Sequence, residues 1–188
     1  MGKPQLLCEV RIVDEEGRDC APGAVGELLF AGPGVTPGYW RNPEATSAAF
    51  TSEGWLRSGD LARLDEDGFY HIAGRRKEMF ISGGENVYPI EVENILAGHP
   101  AVAEVAVVPM PDLTWGEAGR AFILLDERLA AQFDESELEG FCRSRMAAYK
   151  IPKAFEIVSD FPRTAAGKIQ KHLLSQRGEG LRSASSSA

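Results

Sequence analysis

A Glu66-Asp67-Gly68 turn between two strand-like runs, LARLD and FYHIAG, commits the first part of this chain to antiparallel β structure. Asp-Gly suits the positive φ angles of a tight hairpin turn, and the alternation in the flanking runs gives each strand a wet and a dry face. The same grammar recurs upstream. CEVRIVD (Cys8 to Asp14) alternates apolar and polar, EEGR turns, APGAVG turns again, and ELLFAG (Glu27 to Gly32) is a short apolar strand. Pro33, Gly34, Pro37 and Gly38 then break any regular element.

The second half alternates helix and strand. Pro89 suits a first helical turn, Glu91 and Glu93 favour its positive end, and Gly98 with Pro100 stops it. AEVAVVP (Ala103 to Pro109) and GRAFILL (Gly119 to Leu125) read as buried strands, and AFEIV (Ala154 to Val158) as a third. Asp134 with Glu137 resembles a capping box ahead of the apolar stripe Leu138, Phe141 and Cys142. The boundary between the halves falls near GRRKEMFISGGEN, and the Ser/Gly-rich stretch from Ser175 reads as disordered.

Composition narrows the function classes. With 44% hydrophobic and 26% charged residues the chain is ordinary globular material. No apolar run reaches the roughly 18–20 residues of a membrane span. Three cysteines without CxxC spacing argue against a disulfide framework or zinc site and suit a reduced, cytoplasmic compartment. The net charge of −8 argues against a general nucleic-acid binder. Yet residues 143–182 hold 9 basic and 3 acidic residues, an excess that reads either as a solvated helix face with a loose tail or as a local site for an anion.

Standard motifs fail. Gly167-Lys168 lacks the rest of a phosphate loop, Gly32, Gly34 and Gly38 are mis-spaced for a dinucleotide fingerprint, and His71, His99 and His172 have no ligand spacing. Four segments remain. SGDLARLDEDGFYHIAGR puts Asp60 after a Ser-Gly turn and Arg75 at the hairpin's end, and a carboxylate can accept both ribose hydroxyls while an arginine contacts ribose or phosphate. SGGEN (Ser82 to Asn86) lets the backbone approach a ligand. PRTAAGKIQKHLL puts Lys168 on a small, mobile loop. GELLFAGPGVTPGYW is most simply structural. Taken singly, each has a structural explanation at least as good as the functional one.

Their order and spacing together resemble the adenylate-forming (AMP-binding) superfamily, and SGGENVYPIEVE, AVAEVAVVPMPDLTWGE and AAYKIPKAFEIV look most like its acyl-CoA synthetase, or fatty-acid–CoA ligase, branch. The resemblance runs from about Gly2 to Leu174. It implies a ligase that converts a carboxylic acid to an acyl-adenylate and then to acyl-CoA. By motif position, Asp60 and Arg75 would bind the nucleotide, Lys77 would be the hinge, and Lys168 would be catalytic. Gly83 and Gly84 would line the CoA tunnel, with Trp115, Lys150 and Lys153 as weaker candidates for the outer part of CoA. The hinge residue of the family is often Asp, so Lys77 is a variant.

The implied fold is α+β. Residues 1–74 would be a β-rich subdomain from the end of a large lobe, with apolar surface exposed. Residues 75–174 would be a small C-terminal domain with a three-stranded sheet, helices on one side and a hairpin near Met79–Gly84, and 175–188 a disordered tail. Family members are far longer, and Gly2-Lys3-Pro4 continues their pattern, so the chain reads as beginning in mid-family. The phosphate loop, the Mg2+ site and the acyl pocket belong to the front part. ATP and CoA are therefore implied ligands, a separate N-terminal lobe is an implied partner, and activity of the chain alone is not expected. Two other readings stay open: a non-catalytic binding protein that keeps the hinge domain, and the end of a carrier-loading adenylation domain.

Overall fold

The computed structural model describes residues 2–130 and 133–176. The chain divides into two compact units, Met1–Lys77 and Glu78–Ala188. The division falls three residues beyond the boundary read from the sequence.

The first unit is a four-stranded antiparallel sheet in the order β1 (Glu9–Val13), β2 (Gly26–Ala31), β3 (Leu56–Leu64), β4 (Tyr70–Arg75). The Asp65–Phe69 turn behaves as its composition requires. The Asp65 side chain accepts the amides of Asp67 and Phe69, and Gly68 takes φ +78°. Ile12, Leu28 and Ala62 form the buried cluster on one face, flanked by Val10, Phe30, Leu64 and Tyr70. A short helix, α1 (Pro43–Ala49), was not anticipated from the sequence. Its signal was there: Asn42 caps it by accepting the Ala45 amide at 3.0 Å, and Pro43 opens its first turn. Leu6, Leu7 and Trp40 are largely exposed apolar side chains.

The second unit is built on two long antiparallel strands, β7 (Val102–Asp112) and β8 (Gly116–Leu125). A short hairpin, β5 (Phe80–Ser82) and β6 (Glu85–Val87), precedes helix α2 (Pro89–Leu96). The hairpin is not separate: Ser82 pairs with Gly116 and joins it to the sheet. After α3 (Glu135–Arg143), β9 (Ala154–Ile157) adds parallel to β8. The expected three strands are thus β7, β8 and β9, and the whole sheet has five.

Both faces of the central strands are buried, which explains why they read as continuous apolar runs. Val107, Ala121 and Ile123 pack with Val92 and Leu96 of α2 and Leu138 and Cys142 of α3. Ala106, Val108 and Phe122 pack with Phe161, Ile169 and Leu174. The expectation of cover on one side is corrected here: residues 161–176, of which 171–176 are helical, cover the second face through Phe161, Ile169 and Leu174. The cap of α3 also differs from a capping box, since Asp134 accepts the Ser136 amide. The predicted disordered tail lies outside the described residues beyond Gln176.

Candidate functional site

Asp60 owes its position to a bulge. Between β2 and β3 the register joins Leu29 to Arg57 and Glu27 to Leu61, so Ser58, Gly59 and Asp60 stand opposite Leu28 alone. Gly59 takes φ +72°. Ser58 Oγ donates to the Leu28 carbonyl at 2.6 Å and accepts the Asp60 amide at 3.0 Å. Such a bulge re-aims a side chain at a strand's end. Here it brings Asp60 into register with Arg75 of β4, with Arg75 Nε 2.7 Å from Asp60 Oδ1. The Ser-Gly pair expected as a turn is therefore part of β3 itself. A carboxylate and a guanidinium side by side offer acceptors and donors for a hydroxylated, phosphorylated ligand.

Next to this pair lies a feature that the sequence shows only as part of a structural strand. Glu27 is buried, with a side chain only 7% exposed. Its Oε2 accepts from Arg57 Nη1 at 2.7 Å and from Arg76 Nη1 at 3.0 Å. A buried carboxylate persists when it is paired in this way.

In the second unit, Gly83 and Gly84 form the turn of the β5–β6 hairpin at φ +60° and +87°. The Gly83 amide donates to the Trp115 carbonyl at 2.9 Å, and a Cβ at Gly83 would fall 2.6 Å from the Trp115 ring. Asp112 holds the Trp115 segment by accepting the amides of Thr114 and Trp115. Lys153 Nζ stands 5.2 Å from the centre of the same ring. Gly83, Trp115 and Lys153 are therefore brought together. Lys150 is not: it is engaged with both oxygens of Glu91, at 2.7 and 2.9 Å. Beside Gly83, the Ser82 hydroxyl is fully buried with no hydrogen-bond partner among the described residues.

Lys168 is exposed at the end of a closed turn rather than on a loose loop. The Thr164 amide donates to the Lys168 carbonyl at 2.9 Å, the Gly167 amide to the Thr164 carbonyl at 2.8 Å, and Arg163 bridges to Ile169. Arg163 fastens the turn to the sheet through Glu104 of β7 at 2.7 Å. Lys171, three residues on, is largely buried between Glu78, at 2.6 Å, and Glu93, at 2.8 Å. Burial alone would pull its ammonium down, but Glu93 and Glu78 outweigh that and hold it above the ordinary lysine value. Glu93 also accepts the Val107 amide of edge strand β7 at 2.7 Å. Arg163 and Lys171 were missed as positioning groups, since nothing local in the sequence shows which acid each will meet.

Two histidines are structural. His71 bonds Asp65, and His99 meets the rings of Phe133 and Phe141 edge-on. Among the described residues, no three or more His, Cys, Asp or Glu converge as a metal site, and no helix is long and apolar enough to cross a membrane.

Known proteins give this arrangement its context. Residues 91–168 match the AMP-binding enzyme C-terminal domain, and residues 1–40 match the AMP-binding enzyme family. The chain belongs to the AMP-binding enzymes. It is 44% identical over 179 residues to 2-succinylbenzoate–CoA ligase of Bacillus velezensis, which covers 95% of this chain and 36% of that enzyme. It is 44% identical over 170 residues to feruloyl-CoA synthase of an Amycolatopsis species, covering 90% and 34%. Among solved structures it resembles the o-succinylbenzoate CoA synthetase of Bacillus subtilis in complex with its acyl-adenylate intermediate, with a TM-score of 0.83, 40% identity, and coverage of 92% of this chain and 34% of that one. The chain spans about a third of the length of the curated relatives it matches. It corresponds to the C-terminal portion of these proteins.

Proposed function

We propose that this chain serves as the C-terminal part of an ATP-dependent, AMP-forming acyl-CoA synthetase and works together with an N-terminal lobe in the cytoplasm. The observation that carries the reading is the likeness to CoA ligases across nearly the whole chain, including every segment that bears a candidate residue. The exposed Leu6, Leu7 and Trp40 on the first unit support a lobe that covers them.

In the first half-reaction a carboxylate oxygen attacks the α-phosphorus of ATP and pyrophosphate leaves. In the second, the CoA sulfur attacks the acyl carbon and AMP leaves. Asp60 and Arg75 hold the ribose and phosphate side of the nucleotide. Lys168 offsets the repulsion of two meeting anions, and does so most as charge gathers in the transition state. Mg2+, held by the N-terminal lobe, would neutralise part of the phosphate charge. Gly83 and Gly84 form a wall without side chains along which pantetheine passes, and Trp115 with Lys153 receives the outer part of CoA. Lys150 is a weaker candidate because Glu91 engages it. Lys77 is the hinge that brings Lys168 in for one half-reaction and withdraws it for the other.

The test grafts this chain onto the N-terminal lobe of the Bacillus subtilis enzyme in place of its own C-terminal part. The graft should form o-succinylbenzoyl-CoA. Lys168→Ala should cut adenylate formation by about 100- to 1,000-fold, the range seen when one transition-state donor is lost. A folded graft that forms the adenylate equally well with and without Lys168 would falsify the assignment.

A further inference from the structure

Two ion clusters stand on either side of Lys77, and each belongs to a different unit. Before it, Arg76 reaches back to the buried Glu27, which also holds Arg57. Arg75, one residue earlier, is already paired with Asp60. After it, Glu78 is held by Lys171, which also holds Glu93. Phe80, two residues further on, is 3% exposed in the core of the second unit. Arg76, Lys77 and Glu78 together make one short 3₁₀ turn. Within that turn Lys77 alone is exposed with no side-chain hydrogen bond or ion pair among the described residues, and the division into two units falls directly after it.

The charges have a clear order. Arg76 is drawn into a carboxylate of the first unit, and Glu78 into an ammonium of the second. A flexible connection ordinarily spreads its rotation over several residues. Here the residues on both sides are fastened by charge-assisted hydrogen bonds, of which one partner, Glu27 or Lys171, is largely buried and unable to find water instead. We propose that Glu27–Arg76 and Lys171–Glu78 are positioning clamps that confine backbone rotation between the two units to Lys77. This rests on the hinge reading of Lys77 given above and adds what limits the pivot to a single residue. Lys171 thereby has two tasks. It fastens the start of the second unit, and it holds the helical turn three residues after Lys168.

Backbone 15N relaxation on the full 188-residue chain tests the inference. In the parent chain the order parameter should fall below about 0.6 at Lys77, with its clamped neighbours near the rigid value of about 0.85. Glu27→Gln or Arg76→Met should spread the low values to Arg75 and Arg76 and leave Glu78 to Phe80 unchanged. Lys171→Met or Glu78→Gln should spread them to Glu78 and Met79 and leave Arg75 and Arg76 unchanged. Lys171→Arg should restore the parent pattern. Arg76→Met and Glu78→Gln alter partly exposed side chains, so they give an answer even where the buried variants unfold. If Lys77 is mobile but no variant spreads the mobility, or each spreads it equally to both sides, the clamps are overturned and the hinge stands. If Lys77 is as ordered as its neighbours and both units share one tumbling time, the hinge reading fails and the clamps fail with it.

Discussion

Gly83 and Gly84 are adjacent in sequence, both at positive φ, and yet they are under different constraints. A Cβ at Gly84 would meet nothing within 4 Å, whereas one at Gly83 would fall 2.6 Å from Trp115 Cε3. Gly84→Ala should therefore cost only the left-handed backbone penalty of about 1–2 kcal/mol. Gly83→Ala adds a displacement of the Trp115 ring, and with overpacking of about 1–3 kcal/mol the pair should separate clearly in chemical denaturation. The Trp115 indole resonance should move in the Gly83 variant and stay in place in the Gly84 variant. Equal stabilities would mean that the indole swings away without cost and that the close approach is not a fixed part of the site. The sequence already showed the glycine pair and Trp115 as candidates. What it did not show is that the indole of one is the reason for the other, because the two meet only after the helix and sheet between them have been laid down.

At the scale of elements, β7 is an edge strand, and its Val107 amide is satisfied by Glu93 of α2 instead of another strand. Glu93 can serve there because Lys171 balances its charge. Lys171→Met leaves Glu78 and Glu93 uncompensated, and the second unit should lose about 1–3 kcal/mol, less than a fully buried pair because Glu78 is partly exposed. The pH dependence has a definite sign. The folded value of Lys171 lies above its ordinary 10.5, so the stabilisation is fully present below about pH 10.5 and is lost as pH rises through the folded value. Urea midpoints of parent and variant should hold a constant gap from about pH 7 to 10 and converge in stronger base. A gap that closed toward acid instead would place the effect on the carboxylates.

The strands of this unit were legible as apolar runs, and α2 as a proline-led, glycine-stopped helix, because those signals are local. The Glu93–Lys171 pair was not, since its partners are far apart in sequence and their meeting depends on both faces of the sheet being covered. The bulge at Ser58-Gly59-Asp60 escapes a local reading for a similar reason: Ser-Gly reads as a turn until the neighbouring strand is there to accept the Ser58 hydroxyl.

At the scale of the molecule the two units are unequal in what they bury. The second has apolar clusters on both faces of its sheet, with Phe122, Ile123, Leu96, Leu138 and Leu174 fully enclosed. The first has a smaller cluster around Ile12, Leu28 and Ala62, with Val13, Leu29 and Leu61 buried on the other face of the sheet, and it leaves Leu6, Leu7 and Trp40 largely in water. At about 25 cal/mol for each Å² of apolar surface buried, the larger core of the second unit gains more than the smaller core of the first, and local opening follows that gain. Hydrogen exchange on the whole chain should find amides of β7 and β8 the slowest, protected by global unfolding. Amides of β1 to β4 should exchange through a lower-energy opening that leaves the second unit folded. Addition of an N-terminal lobe from a relative should slow exchange most in the first unit, where Leu6, Leu7 and Trp40 stand uncovered. Equal protection in the two units of the isolated chain would show that the first is complete as it stands, and the proposal that another lobe covers it would lose its structural support.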